Sequence, residues 1–436
     1  MTKRLRRTAQ LSLLGLTLGT SNAAAAPSSP VPALTLAEAR RRSFSRNWDL
    51  LAAGSDVDQA LAQEIVAREI QNPTLSAQVA KIPVDGASAA TPRGNGLAER
   101  SYDTVLAVNQ LLELHGKRGL RRSSTAAGTA AARGRLADAR RTLDNAVLKA
   151  YAAAALAEES ARLLARTAAS LRESAKIAAT RLAAGDIAAA DEAEIEVAAD
   201  RFELDAAASE TAARAARIAL DVLMGEPAPR GDWHAADRLE DLAAKAGELD
   251  VETVLARASA RPDLAAAEAD LARAEADLRL ERARRLPDPA LSLQYERQPP
   301  DSSNTVGLGI AIELPLWSRR QGEVAAAAVS RERAARERER VRAAIASERT
   351  AARAGFESAL TRWRSFRQTI VPKADKVRAT VVYAYQNGGA SLLELLEAER
   401  SANDVAVASA QAASDALTRA ADLAAAANLA LFETPP

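Results

Sequence analysis

Pro289-Ala290-Leu291-Ser292-Leu293-Gln294-Tyr295-Glu296, a polar break at Gln298-Pro299-Pro300-Asp301-Ser302-Ser303, then Val306-Gly307-Leu308-Gly309-Ile310-Ala311-Ile312-Glu313-Leu314: this stretch decides the fold. Leu291, Leu293 and Tyr295 alternate with Ser292, Gln294 and Glu296, and Val306, Leu308, Ile310, Ile312 and Leu314 alternate with glycine, alanine and glutamate. A period of two predicts two strands joined by a short loop. One face is wholly apolar, whereas the other carries small and acidic groups better suited to water than to a protein core. Apolar outside and polar inside is the pattern of a transmembrane barrel strand. A soluble sandwich can show the same alternation, so the rest of the chain has to decide.

The surroundings favour the membrane. Lys3, Arg4, Arg6 and Arg7 precede the apolar run Leu11 to Leu18 and the small residues Asn22 to Ala26, which predicts a secretory signal over residues 1–26. Its removal takes away four positive charges and no negative ones, so the net charge goes from +1 to −3. Nothing in the mature chain has the basic character of a nucleic-acid surface. There is no cysteine, which excludes disulfides, thiolate metal sites and a lipid-anchored N-terminus. No later segment offers the roughly 18 consecutive apolar residues of a membrane helix, so only a closed barrel could cross a bilayer.

Taken in order, residues 34–70 read as a helix ended by Gln71-Asn72-Pro73, followed by a strand with Leu75, Ala77 and Val79 on one face. Pro83 to Gly96 reads as a loop, and a second strand runs from about Tyr102 to Leu114 with Leu106, Val108, Leu112 and Leu114 outward and Gln110 as the exception. A very long helix follows Gly116, with Leu136, Leu143, Ala150, Ala157, Leu164, Leu171 and Ala178 seven apart and a second series offset by four. That is a coiled-coil seam, mostly of alanine. Gly185-Asp186 breaks the helix, and Ile187 to Leu223 returns. Residues 224–250 read as an irregular linker holding Trp233 and His234.

The plan then repeats. Residues 251–286 are predicted helical, and Arg261-Pro262-Asp263-Leu264 echoes Asn47-Trp48-Asp49-Leu50. Asp288-Pro289-Ala290-Leu291-Ser292 echoes Asn72-Pro73-Thr74-Leu75-Ser76, and Ile312-Glu313-Leu314 echoes Leu112-Glu113-Leu114. A second long helix, from about Arg320 to Tyr385, carries Phe356, Trp363, Ile370, Val377 and Ala384 at heptad spacing, and Asn387-Gly388-Gly389 breaks it. Leu392 to Leu431 is the return helix. One helix–strand–strand–helix–helix unit therefore occurs twice, over about 34–223 and 251–431, with membrane strands at about 74–114 and 290–316. The fold class expected is mainly α with a membrane β-barrel. Four strands cannot close a barrel, so copies must join: two leave an interior nearly filled by side chains, three make twelve strands wide enough for water.

The double repeat, Asn72-Pro73-Thr74-Leu75-Ser76, Ile370-Val371-Pro372 within the long helix and Tyr385 to Ala398 after it resemble TolC-type outer-membrane efflux channels. The resemblance implies a homotrimer with a 12-strand β-barrel continuous with a long periplasmic α-barrel, and an equatorial domain built from the ends and the linker. It implies an outer-membrane site in a Gram-negative bacterium, a periplasmic adaptor, an inner-membrane RND-type pump and no cofactor. Leu111-Leu112-Glu113-Leu114-His115-Gly116-Lys117-Arg118 is similar to the heavy-metal, cobalt–zinc–cadmium branch, with His115 where that branch has glycine.

The candidate sites are two. Gly185, Asp186, Ile187, Gly388, Gly389 and Ser391 would form the distal tips, where the family meets its adaptor and gates its aperture. Glu113, Lys117, Arg118 and Glu313 would stand at the barrel–helix junction, with Lys117 and Arg118 as solvated anchors for head groups or carboxylates. Carboxylates after each break (Asp186, Asp191, Glu192, Glu194, Glu394, Glu397, Glu399) could form acidic rings favouring cations, or serve as helix-start acids. A metal needs three or four convergent ligands, and neither His115 nor His234 has another histidine, a cysteine or a methionine near it in sequence, so no resident metal site is expected. The alternating run Arg331 to Arg340 reads as a solvated helix face. No catalytic set is recognisable, so an enzyme is not expected. The competing function is a periplasmic coiled-coil adaptor or scaffold, and a drug rather than a metal is the competing cargo.

Overall fold

The computed structural model describes residues 32–80, 103–256, 260–298 and 303–432. The expected signal and the Pro83 to Gly96 loop lie outside them. The first repeat is β1 (Ala33–Leu34), α1 (Leu36–Arg46), α2 (Trp48–Arg68), β2 (Thr74–Ala80), β3 (Asp103–Leu111), α3 (Lys117–Ala183) and α4 (Ala189–Leu223). The linker holds β4 (His234–Ala235) and α5 (Leu239–Ala246). The second repeat is α6 (Val251–Ala256), α7 (Pro262–Ala283), β5 (Ala290–Gln298), β6 (Ser303–Ala311), α8 (Gln321–Ser365), a π-helical turn (Phe366–Ile370), α9 (Val371–Gln386) and α10 (Leu392–Ala426). The return helices α4 and α10 are each 35 residues long, which displays the duplication directly.

Several boundaries differ from the sequence reading. The first helix is two, because Asn47 adopts extended backbone and its side chain accepts from the Leu50 amide as an N-cap. Its counterpart breaks in the same place, with Pro262 in the first turn of α7 and Arg261 as cap. Both hairpins stop short: β3 ends at Leu111 and β6 at Ala311, so Leu112 to Leu114 and Ile312 to Leu316 are not strand. The linker is not irregular, since α5 buries Leu239, Leu242, Ala243 and Ala246 on one face.

Pro372 does not break the second long helix. The π turn absorbs it: the Val371 amide reaches back five residues to the Phe366 carbonyl, and Pro372, which has no N–H, follows directly as the second residue of α9. The inserted residue rotates the buried face. The heptad seam holds at Phe356 and Trp363 and then fails, leaving Ile370 and Val377 exposed.

The strands form one antiparallel sheet in the order β2-β3-β5-β6. Among the described residues, no helix is long and apolar enough to cross a membrane. The helices pack through small side chains: α3 lies along α2, α4, α7 and α10 and buries Ala131, Ala132, Ala154, Ala161, Ala168 and Ala175. At Gly134 a Cβ would stand 2.9 Å from the backbone of Ala266 on α7. Gly134→Leu should therefore destabilise the chain by about 2–3 kcal/mol, the range of an overpacked core, read as a lower unfolding midpoint.

An equatorial knot ties ends, linker and long helix together. β1 pairs with β4 in parallel. The Tyr151 hydroxyl of α3 donates to the Leu34 carbonyl at 2.9 Å and accepts from the Asp237 amide at 3.1 Å. Trp233 stacks on Tyr151 at 6.5 Å and donates its ring N–H to Asp221 at 2.8 Å. Buried Arg40 joins Asp144 on α3 to the Phe432 carbonyl (2.9 and 3.0 Å).

Candidate functional site

The two helix breaks are the same motif. After α3, the Gly185 amide bonds to the Leu182 carbonyl and the Asp186 amide to Arg181, each at 2.9 Å. After α9, the Gly388 amide bonds to Tyr385 at 3.1 Å and the Gly389 amide to Ala384 at 2.7 Å. This is the Schellman pattern, with glycine at the left-handed position in both, φ +81° at Gly185 and +77° at Gly388. A side chain at either would be strained. Three residues on stands the N-cap of the return helix, Ala188 and Ser391. Ser391 caps α10 reciprocally with Glu394, and at the matching place Asp191 accepts from the Ala188 amide at 3.3 Å.

The turns are brought together at one end. Ala175 and Ala178 of α3, Ile195 of α4, Tyr385 of α9 and Leu395 of α10 form one small buried cluster, with Ile187 and Ala390 packed against it. Arg181 lies over the Tyr385 ring at 5.6 Å. The long helices set the distance from this end to the sheet: α3 has 67 residues, about 100 Å at 1.5 Å per residue.

The acidic candidates sort themselves. Asp191 and Glu394 are helix caps, and the Ser391 hydrogen bonds hold the Glu394 carboxyl below its ordinary range. Glu399 is a correction to the acidic-ring reading: it is 1% exposed, accepts from Ser170 on α3 at 2.7 Å and faces Arg378 on α9 at 3.4 Å. Beside it Thr167 donates to Asn403 at 3.2 Å, so α3 and α10 share a buried polar seam. Asp186 alone stands outside a helix with its side chain exposed.

At the other end, Lys117 is not the solvated anchor expected. It is buried at the first turn of α3, 2.8 Å from Asp288 and 2.5 Å from the Leu286 carbonyl. Asp288 also accepts from the Leu114 amide at 2.9 Å. Glu113 pairs bidentately with Arg121. Burial raises the Asp288 carboxyl, but Lys117 and the Leu114 amide outweigh it and hold the group below the usual range. The Arg121 hydrogen bond does the same to Glu113. Arg118 and Glu313 are exposed and outside this cluster. His115 takes a left-handed φ of +59° ahead of Gly116 at +69°. That is glycine geometry, matching the residue type the resemblance puts there.

The sequence marks Trp317 only as the start of the turn Trp317-Ser318-Arg319-Arg320, with no role of its own. It is 90% exposed just beyond β6, among exposed Leu314 and Leu316. Its signal was available, because an exposed aromatic beyond the last apolar strand residue is how barrels mark the membrane interface.

The outer membrane efflux protein model matches residues 39–226 and 255–429, one segment for each repeat. The chain belongs to that family. It is 26% identical to the cobalt-zinc-cadmium resistance protein CzcC of Cupriavidus metallidurans over 382 residues, 88% of this chain and 87% of that one. Among solved structures it resembles CusC (TM-score 0.74, 19% identity, 90% of this chain and 91% of that one). It also resembles the open state of the Neisseria gonorrhoeae MtrE outer membrane channel (TM-score 0.74, 21% identity, 92% and 91%). The family favours the channel reading over the soluble adaptor or scaffold. The run from Arg331 to Arg340 is laced by exposed ion pairs such as Arg336–Glu332 and Arg340–Glu337, as a solvated face requires.

Proposed function

We propose that this chain is the outer-membrane component of a tripartite efflux system, a homotrimer that passively conducts divalent heavy-metal cations outward. The observation that carries the reading is the sheet. Its outward face is apolar and exposed, with Leu308 86%, Leu75 74% and Ile310 70% accessible, and it runs directly into helices about 100 Å long. Lipid would cover that face, three copies would supply twelve strands, and the helices would carry the tube through the periplasm. A periplasmic adaptor would dock at the Gly185 and Gly388-Gly389 turns and draw on an inner-membrane pump. The name of CzcC supports metals as cargo. In this reading the metal ion is cargo, and its selection would lie with the pump. A strain lacking the gene, challenged with a panel of metal salts and drugs, tests this: sensitivity to cobalt, zinc or cadmium supports it, and sensitivity to drugs alone transfers the cargo to organic solutes.

The tips give a second test. Gly388→Trp strains a left-handed turn about 100 Å from the sheet, so outer-membrane level and oligomer should be unchanged while efflux is lost. Asp186→Asn should keep efflux and lower cation preference in a bilayer conductance assay. An unchanged preference would leave Asp186 as turn geometry only.

A further inference from the structure

The sheet has two unpaired edges, β2 and β6. Outward side chains on the edges are 70–86% exposed at Leu75, Val306, Leu308 and Ile310 and 52% at Val79, against 40–52% at Leu106, Val108, Leu291, Leu293 and Tyr295 on the inner strands. Each edge lacks a neighbour, and unpaired backbone in lipid costs several kcal/mol per group. In the trimeric reading, on which this inference rests, β6 meets β2 of the next copy.

The chain contains its own template for that junction. β3 and β5 join the end of one repeat's hairpin to the start of the next, and β6 against the next β2 is the same junction between copies. Asn72-Pro73-Thr74-Leu75-Ser76 and Asp288-Pro289-Ala290-Leu291-Ser292 match Thr74 with Ala290 and Ser76 with Ser292. Within the hairpins, Thr74 pairs with Asn109 and Ala290 with Ala311, so Asn109 matches Ala311. In the template Asn109 pairs with Ser292. We propose that Ala311 pairs with Ser76 of the next copy, with Ile310 opposite Ala77, Gly309 opposite Gln78 and Leu308 opposite Val79.

Two physical checks agree. Every outward residue meets an outward residue, and small or polar groups meet on the inside. The stagger also fits: from Thr74 through Asn109 to Ser292 the pairing climbs two residues past the match at Ala290. Two residues of about 3.3 Å over two strand spacings of about 4.8 Å tilt the strands by about 35°, inside the range of about 35–45° for membrane barrels. Aligning Leu112-Glu113-Leu114 with Ile312-Glu313-Leu314 instead sets Ala311 opposite Thr74, which lowers the mean tilt to about 20° by the same spacings. Backbone pairing, rather than residue identity, passes the stagger round a sheet, so the hairpin match decides.

The chain has no cysteine, so introduced pairs report cleanly. Ala311→Cys combined with Ser76→Cys in the full-length protein should give covalent dimers and trimers on a boiled, non-reducing gel. Diagonal neighbours lie about 7–8 Å apart, beyond the reach of a disulfide at about 7 Å, so Ala311→Cys with Thr74→Cys or with Gln78→Cys should crosslink weakly. A dominant band from either shifted pair, or an intact trimer in which no pair crosslinks, overturns this register. Absence of any oligomer on unboiled gels would instead overturn the trimeric channel reading on which the register rests.

Discussion

Leu308→Arg removes the protein from the outer membrane. Leu308 is the most exposed apolar strand residue, at 86%, in the middle of β6, and an arginine facing lipid near the midplane costs about 2–4 kcal/mol. Each trimer would bear that cost three times, at the edge through which copies join. The control is Gly307→Ser on the opposite face. A Cβ there meets only Gln294, at 4.0 Å, an ordinary contact, so assembly should be near normal. Membrane fractions probed for the two variants check this. Equal tolerance on both faces would remove the barrel reading.

Asp288→Ala has the second largest expected effect. It leaves Lys117 buried without its anion, and breaking a buried pair from one side costs about 3–5 kcal/mol. The Leu286 carbonyl still accepts from Lys117, so the lower end, about 3 kcal/mol, is expected. Pairing Asp288→Ala with Lys117→Met should restore much of the loss. The pH dependence has a definite sign. Asp288 and Glu113 are both held below their ordinary range, so their stabilisation is complete above about pH 5 and is lost as pH falls through the lowered folded values. Thermal melts from neutral pH downward should show the wild type losing stability below that point, and Asp288→Asn losing less.

How much was legible depended on the range of the signal. The strands, the duplication and the glycine breaks are local patterns, and Gly185 and Gly388 end their helices as read. The Asn47 break was also local, a side-chain cap before Trp48-Asp49, but it lay inside an apolar periodicity that masked it. Amphipathic Leu239 to Ala246 was short enough to pass as linker. Lys117 and Glu399 could not be read locally. Their solvated appearance is reversed by Asp288 and Ser170, which lie far off in sequence and meet them only through the helix packing. The π turn before Pro372 is likewise a backbone solution that residue identity marks but does not specify.

The central claim is that this chain becomes a membrane conduit only by joining copies of itself. Fractionation of cells expressing the full-length protein tests it most directly. The account predicts recovery in the outer membrane, release by detergent alone, and migration on unboiled gels at three times the chain mass, falling to one on boiling. Recovery in the soluble periplasmic fraction as a monomer would contradict it.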